Sequence, residues 1–160
     1  MTKAHHPTFL TQEAYDKLEA ELEHLVTEGR ARVEERIQTA REHGDLRENA
    51  DYDAAKNDQG LMEARIRQLK HLLNTAVVGE VPHTDEVVIG SLVTVIDHDG
   101  DEIRYFVAPP ENKVPGILLA SPSGPLGRAL LGARVGDSVT YDAPAGAFTV
   151  EVVGVEPFRG

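Results

Sequence analysis

The sequence predicts an α+β chain, a long antiparallel helical hairpin followed by a small antiparallel β domain with one short helix. Three observations predict it. Between residues 15 and 76 apolar side chains recur at alternating steps of three and four, the spacing of a coiled-coil seam. That pattern is interrupted by one short polar stretch, GDLRENADYDAAK at 44–56, so the two seams run antiparallel and bury each other. After Gly79 and Pro82 the apolar period changes to two, as strands require. The expected division is 1–80 for the hairpin and 81–160 for the β domain.

Each element has its own signal. Thr11 is an expected N-cap, with Leu10 before it and Tyr15 placed for a hydrophobic staple. Tyr15, Leu18, Leu22 and Leu25 form the first part of the seam, which then shifts phase and resumes as Val26, Val33, Ile37 and Ala40. Gly29 lies between Val26 and Val33, so a stutter or local loosening is expected near it. His43 and Gly44 offer a favourable last-turn residue and a C′ glycine. The returning arm carries Ala55, Met62, Ile66, Leu69, Leu73 and Ala76. Beyond the linker, SLVTVID, EIRYFVA, GILLA, DSVTYD and AFTVEVVGVE read as short strands, with turns at Asp99-Gly100 and Ala145-Gly146. PLGRALLG reads as a helix, with Pro125 at its first position and Gly132 at C′.

Composition excludes several functions. No run of apolar residues approaches the ~18 that a membrane span needs, and no secretory leader pattern is present, so the expectation is a cytoplasmic protein with no membrane partner. Cysteine is absent, which removes disulfides, thiolate catalysis and sulfur-bound zinc and leaves only His, Asp and Glu as metal ligands. A net charge of -11 argues against gripping nucleic acid over a general surface, because phosphate binding needs Lys and Arg. Residues 1–80 hold 11 basic against 16 acidic groups and residues 81–160 hold 5 against 11, so any contact with nucleic acid must be local.

The bend gathers Asp45, Glu48, Asp51 and Asp53. Asp45 and Glu48 fit a capping box, and acids suit the first turn of a helix. On spacing alone that reading is the commoner one. The same spacing also turns two carboxylates in one direction. Two hard oxygen donors can share Mg²⁺ but cannot complete its shell, so they make half of a metal site that another molecule must finish.

The stretch AREHGDLRENADYDAAKNDQGLMEARIRQLKHLL at 40–73 resembles the tip and returning helix of the bacterial Gre transcript cleavage factors. The matching positions are Gly44, Asp45, Leu46, Glu48, Asn49, Tyr52, Ala54, Ala55, Arg65 and Ile66. LTQEAY near the start and PLGRALLGARVGD in the second half extend the resemblance over nearly the whole chain. It implies a coiled coil followed by a domain similar to FK506-binding proteins but without isomerase activity. It also implies RNA polymerase as partner, with the β domain docked at the rim of the secondary channel and the coiled coil inside it. There the tip acids help the polymerase hydrolyse the 3′ segment of a backtracked transcript, so the chain is an accessory factor and not itself an enzyme. Asp45 and Glu48 would be the catalytic, metal-directed pair for a Mg²⁺ shared with the polymerase and not bound tightly by the chain alone. Leu46, Arg47, Asn49 and Tyr52 would shape the tip, Arg41 and Arg47 would lie nearest the nascent RNA 3′ end, and Ser123, Pro125 and Leu126 would dock on the polymerase.

The chain departs from the family pattern at Asp53, where His is common, at Asn57-Asp58, where Glu-Gln is common, and at Gly124, where Ser is common. The first two sites make the stem more acidic. Two rivals follow. A channel-occupying inhibitor would dock without stimulating cleavage; the intact Asp45 and Glu48 speak against it, while Asp53 and Asp58 keep it open. A prolyl isomerase would need an aromatic-lined pocket, for which the second half offers Tyr105, Phe106, Tyr141, Phe148 and Phe158. A wider basic stripe of Arg41, Arg47, Lys56, Arg65, Arg67 and Lys70 could equally be a solvated coiled-coil face. The histidines lack paired ligand spacing beyond His5-His6, and Ser121 and Ser123 lack an identifiable base.

Overall fold

The computed structural model describes residues 8–42, 50–79 and 81–159. It divides into two compact units, one of residues 15–75 and one of residues 1–14 with 76–160. No helix among the described residues is long and apolar enough to cross a membrane.

The first arm of the hairpin comprises α1 (Gln12–His24), a π-helical turn (Leu25–Gly29) and α2 (Arg30–Glu42). Thr11 caps it, its Oγ1 accepting a hydrogen bond from the Ala14 N–H at 3.0 Å. The phase shift expected near Gly29 takes the form of the π turn, whose wider winding absorbs the change of seam without breaking the rod. Thr27 Oγ1 donates to the Glu23 carbonyl at 2.7 Å, satisfying a group the wider turn loosens. A Cβ on Gly29 would meet Met62 Sδ at 3.0 Å, so the missing side chain admits that sulfur from the opposite arm.

The returning arm is α3 (Ala50–Thr75). Val33, Ile37 and Ala40 of α2 and Ala55, Ile66 and Leu69 of α3 are buried, all of them at expected seam positions. Ion pairs flank the seam. Arg30 forks onto Glu63 at 2.9 and 3.0 Å, Arg65 forks onto Glu21 at 3.0 and 2.7 Å, and Arg36 meets Asp58 at 2.8 Å. The hydrogen bonds from Arg30 hold the Glu63 carboxyl below the usual glutamate range.

The second unit contains a five-stranded sheet of β3 (Ser91–Ile96), β4 (Glu102–Val107), β5 (Leu118–Ala120), β6 (Ser138–Ala143) and β7 (Gly146–Pro157), in the order β5-β4-β3-β7-β6. All neighbours are antiparallel except β4 and β5, which are parallel. The expectation of an antiparallel sheet is corrected at that edge. The connection from Val107 to Leu118 passes through a 3₁₀ turn (Pro110–Asn112) and is long enough to carry the chain back before it re-enters the sheet.

Helix α4 (Pro125–Leu130) covers one face, with Pro125 at its first position and Gly132 beyond its end at φ +85°. Leu130 and Ala133 pack with Val93, Val95, Val107, Val150 and Val152 into the main core. Leu92, Phe106 and Ala108 form a smaller cluster with Ile117, Leu119 and Phe158. A second sheet pairs β1 (Phe9–Leu10) in parallel with β2 (Val77–Val78). Asn112, 1% exposed, anchors β1, since its Oδ1 accepts the Thr11 N–H at 2.7 Å and its Nδ2 donates to the Phe9 carbonyl at 2.9 Å.

Candidate functional site

On either side of the bend, α2 runs to Glu42 and α3 begins at Ala50. Ala40 and Ala55 are buried between the two helices, and their short side chains allow a close approach. Expected site residues Asp45, Leu46, Arg47, Glu48 and Asn49 lie outside the described residues, as do the proposed C-cap residues His43 and Gly44. Arg41 and Tyr52 are described, one on each helix. The Arg41 guanidinium carbon lies 5.8 Å from the centroid of the half-buried Tyr52 ring, within cation–π range.

The structure also places the acidic departures. Asp53 is exposed on α3, whereas Asp58 is held by Arg36. A negative charge at position 58 is therefore largely balanced on the hairpin itself. Within the wider basic stripe, Arg65 is engaged by Glu21 and Gln68, and Lys56 donates to Gln59 at 3.0 Å, while Arg67 and Lys70 are exposed.

In the second unit, Ser123 and Pro125 are exposed at the start of α4, and Leu126 is half-buried against the main core. Ser123 Oγ lies 2.9 Å from Ser121 Oγ, so the two hydroxyls bond each other and neither is poised against a base. Gly127 sits directly on this loop. A Cβ there would fall 1.9 Å from the Ser121 carbonyl oxygen, so the residue must be glycine for α4 to pack where it does. Beside the loop runs a shallow groove of about 510 Å³, bounded by Phe9, Val77, Ile89, Pro109 and Pro122.

The aromatic residues do not converge on one pocket. Phe106 stacks on Phe158 at 4.1 Å in the smaller cluster, whereas Tyr105 and Tyr141 pack against the main core, where burial pushes the Tyr105 hydroxyl pKa up. Tyr141 and Phe148 face each other across β6 and β7, with centroids 5.9 Å apart.

Among the described residues the three acids able to gather ligand oxygens are Asp97, Asp99 and Asp101. They belong to the β3–β4 turn, where Asp97 Oδ1 accepts the backbone N–H groups of Asp99 and Asp101 at 2.9 and 2.8 Å. Sequence reading passed over this turn's internal bonding and the anchoring role of Asn112. The run DHDGD signals the first, and nothing local signals the second.

Residues 8–78 match the family described as transcription elongation factor, N-terminal, and residues 82–157 match transcription elongation factor, GreA/GreB, C-term. The transcription elongation factor GreA of Streptomyces coelicolor is 45% identical over 157 residues, covering 96% of this chain and 95% of that protein. GreA of Saccharopolyspora erythraea is 46% identical over 157 residues, with 96% of each covered. The solved structure of the GreA factor homolog 1 (Gfh1) protein of Thermus thermophilus is 30% identical, covers 94% of this chain and 99% of that one, and has a TM-score of 0.45. With both halves matched and identity above two-fifths along nearly its whole length, the chain belongs to the GreA/GreB family of transcription elongation factors.

Proposed function

We propose that this chain is a cytoplasmic accessory factor that binds RNA polymerase, inserts its hairpin into the secondary channel and stimulates endonucleolytic cleavage of the 3′ end of backtracked nascent RNA. The observation that carries the reading is the acid pair Asp45 and Glu48, retained between the two arms of an antiparallel hairpin in a chain that matches the family at both ends. A hairpin is too thin to shelter a pocket of its own, so chemistry at its end must be completed by a partner. Docking is assigned to the second unit, through Ser123, Pro125 and Leu126.

Two carboxylates suit Mg²⁺, a hard cation that takes oxygen ligands and keeps several waters. Asp45 and Glu48 would hold it jointly with the polymerase, and when bound it supplies a polarised water for phosphodiester hydrolysis. The chain's own contribution is to bring negative charge to the partner's active centre and hold it there. Arg41 and Arg47 supply the basic charge nearest the RNA.

The test is incubation with a backtracked elongation complex carrying 3′-labelled RNA. Release of a short labelled fragment, dependent on the added protein, is the expected result. Binding to polymerase that slows elongation without fragment release would replace this reading with that of a channel-occupying inhibitor.

A further inference from the structure

We infer that Met62 is a site of reversible oxidation, at which a peroxide converts the thioether to the sulfoxide and so loosens the hairpin where α3 crosses the π turn of the first arm. The inference goes beyond the proposed cleavage function and does not depend on it.

Sulfur is scarce in this chain. It has no cysteine and two methionines, Met1 and Met62, so Met62 is the one thioether within the helical unit of residues 15–75. Its side chain is half-buried, which leaves it within reach of a dissolved oxidant, and it stands one turn from the buried Ile66 on the seam. The opposite arm meets it with Gly29, the last residue of the π turn. A Cβ at Gly29 would lie 3.0 Å from Met62 Sδ, 3.5 Å from Leu25 Cδ2 and 3.7 Å from the His24 carbonyl oxygen. The sulfur therefore fills space that the missing side chain leaves, and Leu25 and a backbone acceptor border the same space. Arg30 and Glu63, the next residue on each arm, are joined by their fork at 2.9 and 3.0 Å, which fixes the arms at this crossing.

Oxidation changes what the crossing must hold. The O–O bond of the peroxide breaks, an S–O bond forms at Sδ, the sulfur loses two electrons, and hydrogen peroxide leaves as water. A flexible apolar group becomes a polar one whose oxygen accepts hydrogen bonds. Neither neighbour at the Gly29 gap can donate one, since Leu25 offers carbon and the His24 oxygen is itself an acceptor. The new oxygen must stay unpaired in the seam or turn to water, and turning to water withdraws the sulfur from Gly29. Both outcomes weaken the contact that packs against the π turn.

The test treats the full chain with hydrogen peroxide and follows it by mass spectrometry and native-state hydrogen exchange. Met62 is expected to gain one oxygen, about 16 Da, while the chain is folded. The amides of Val33, Ile37, Ile66 and Leu69 are then expected to exchange about tenfold faster, with those of Val93 and Val95 in the sheet unit unchanged. Methionine sulfoxide reductase with a thiol reductant should restore the original rates. Met62→Leu keeps the apolar volume without the sulfur, so it should exchange alike before and after peroxide, which separates Met62 from Met1. A folded chain in which only Met1 takes up oxygen would overturn the inference, and so would Met62 sulfoxide with unchanged exchange in α2 and α3. Faster exchange in peroxide-treated Met62→Leu would overturn it as well, by assigning the effect to another residue.

Discussion

Replacing Asn112 with Ala removes a buried side chain that holds the start of the chain against the sheet unit. Its amide makes three bonds, accepting from the Thr11 N–H at 2.7 Å and donating to the Phe9 and Pro109 carbonyls at 2.9 and 3.2 Å. Alanine strands one N–H and one carbonyl on the 9–11 segment, and each stranded group costs about 1–3 kcal/mol where water cannot reach it. The segment is partly buried, so water restores some of the loss, and the expected destabilisation is about 3 kcal/mol. The damage should be local first. The Val77 N–H bonds the Thr8 carbonyl at 2.9 Å, and β1 pairs with β2 over only two residues, so this small sheet opens when its anchor goes. Native-state hydrogen exchange reads the effect amide by amide. Val77 and Thr11 should lose protection, while Val93 and Val152 in the main core keep theirs under mild conditions. Unchanged protection at Val77, together with a urea midpoint equal to that of the unmodified chain, would refute the anchoring role of Asn112.

Other consequences can be measured separately. Gly127→Ala places a Cβ 1.9 Å from the Ser121 carbonyl oxygen, so α4 or the 121–122 backbone must move, and a loss of about 1–3 kcal/mol with weakened polymerase binding is expected in melting and pull-down measurements. Wild-type melting temperature with the loop unmoved would contradict it. The Arg30–Glu63 fork gives a pH dependence of definite sign. Glu63 titrates below its ordinary 4.5, so its contribution is fully present above that pH and is lost as pH falls through the lowered folded-state value. The melting difference between the unmodified chain and Glu63→Gln should therefore be present at neutral pH and shrink in acid. A difference that grows on acidification would show that the fork is not what Glu63 contributes.

Much of the fold could be read from local chemistry, because the signals act over a few residues. Thr11 as cap, Pro125 and Gly132 as the limits of α4, and the period-two strands all depend on neighbours in sequence. The phase break at Gly29 was legible as a change of seam, although its form as a π turn was not, since the same break can be absorbed as a stutter. Long-range pairing was illegible. β1 and β2 are two residues each and pair across most of the hairpin, too short for any period to register. Asn112 reads as an ordinary loop residue, and its value comes from Phe9, 103 positions away. The parallel edge at β5 follows from how the connection crosses, which three strand residues do not encode. Asp58, read as added acidity on the stem, only keeps the single negative charge of the common Glu-Gln pair one position along, and it faces Arg36, a partner fixed only once the register of the two arms is known. The acid pair is read from spacing and family pattern alone, since Asp45 and Glu48 lie outside the described residues.

The central claim is that Asp45 and Glu48 carry chemistry and are more than helix caps. Asn matches Asp as an N-cap and keeps nearly its shape, so Asp45→Asn should alter stability by at most a few tenths of a kcal/mol. A neutral amide is a poorer ligand for Mg²⁺ and lacks the charge that draws the ion, so cleavage should respond where folding does not. The decisive measurement is release of 3′-labelled RNA from a backtracked complex by Asp45→Asn and by Glu48→Gln, each added alone and in excess over the unmodified chain. Both variants are expected to fold normally, bind polymerase, lose most of the stimulation and suppress the unmodified protein by competition. Full fragment release by both well-folded variants would leave the two acids as caps and contradict the account.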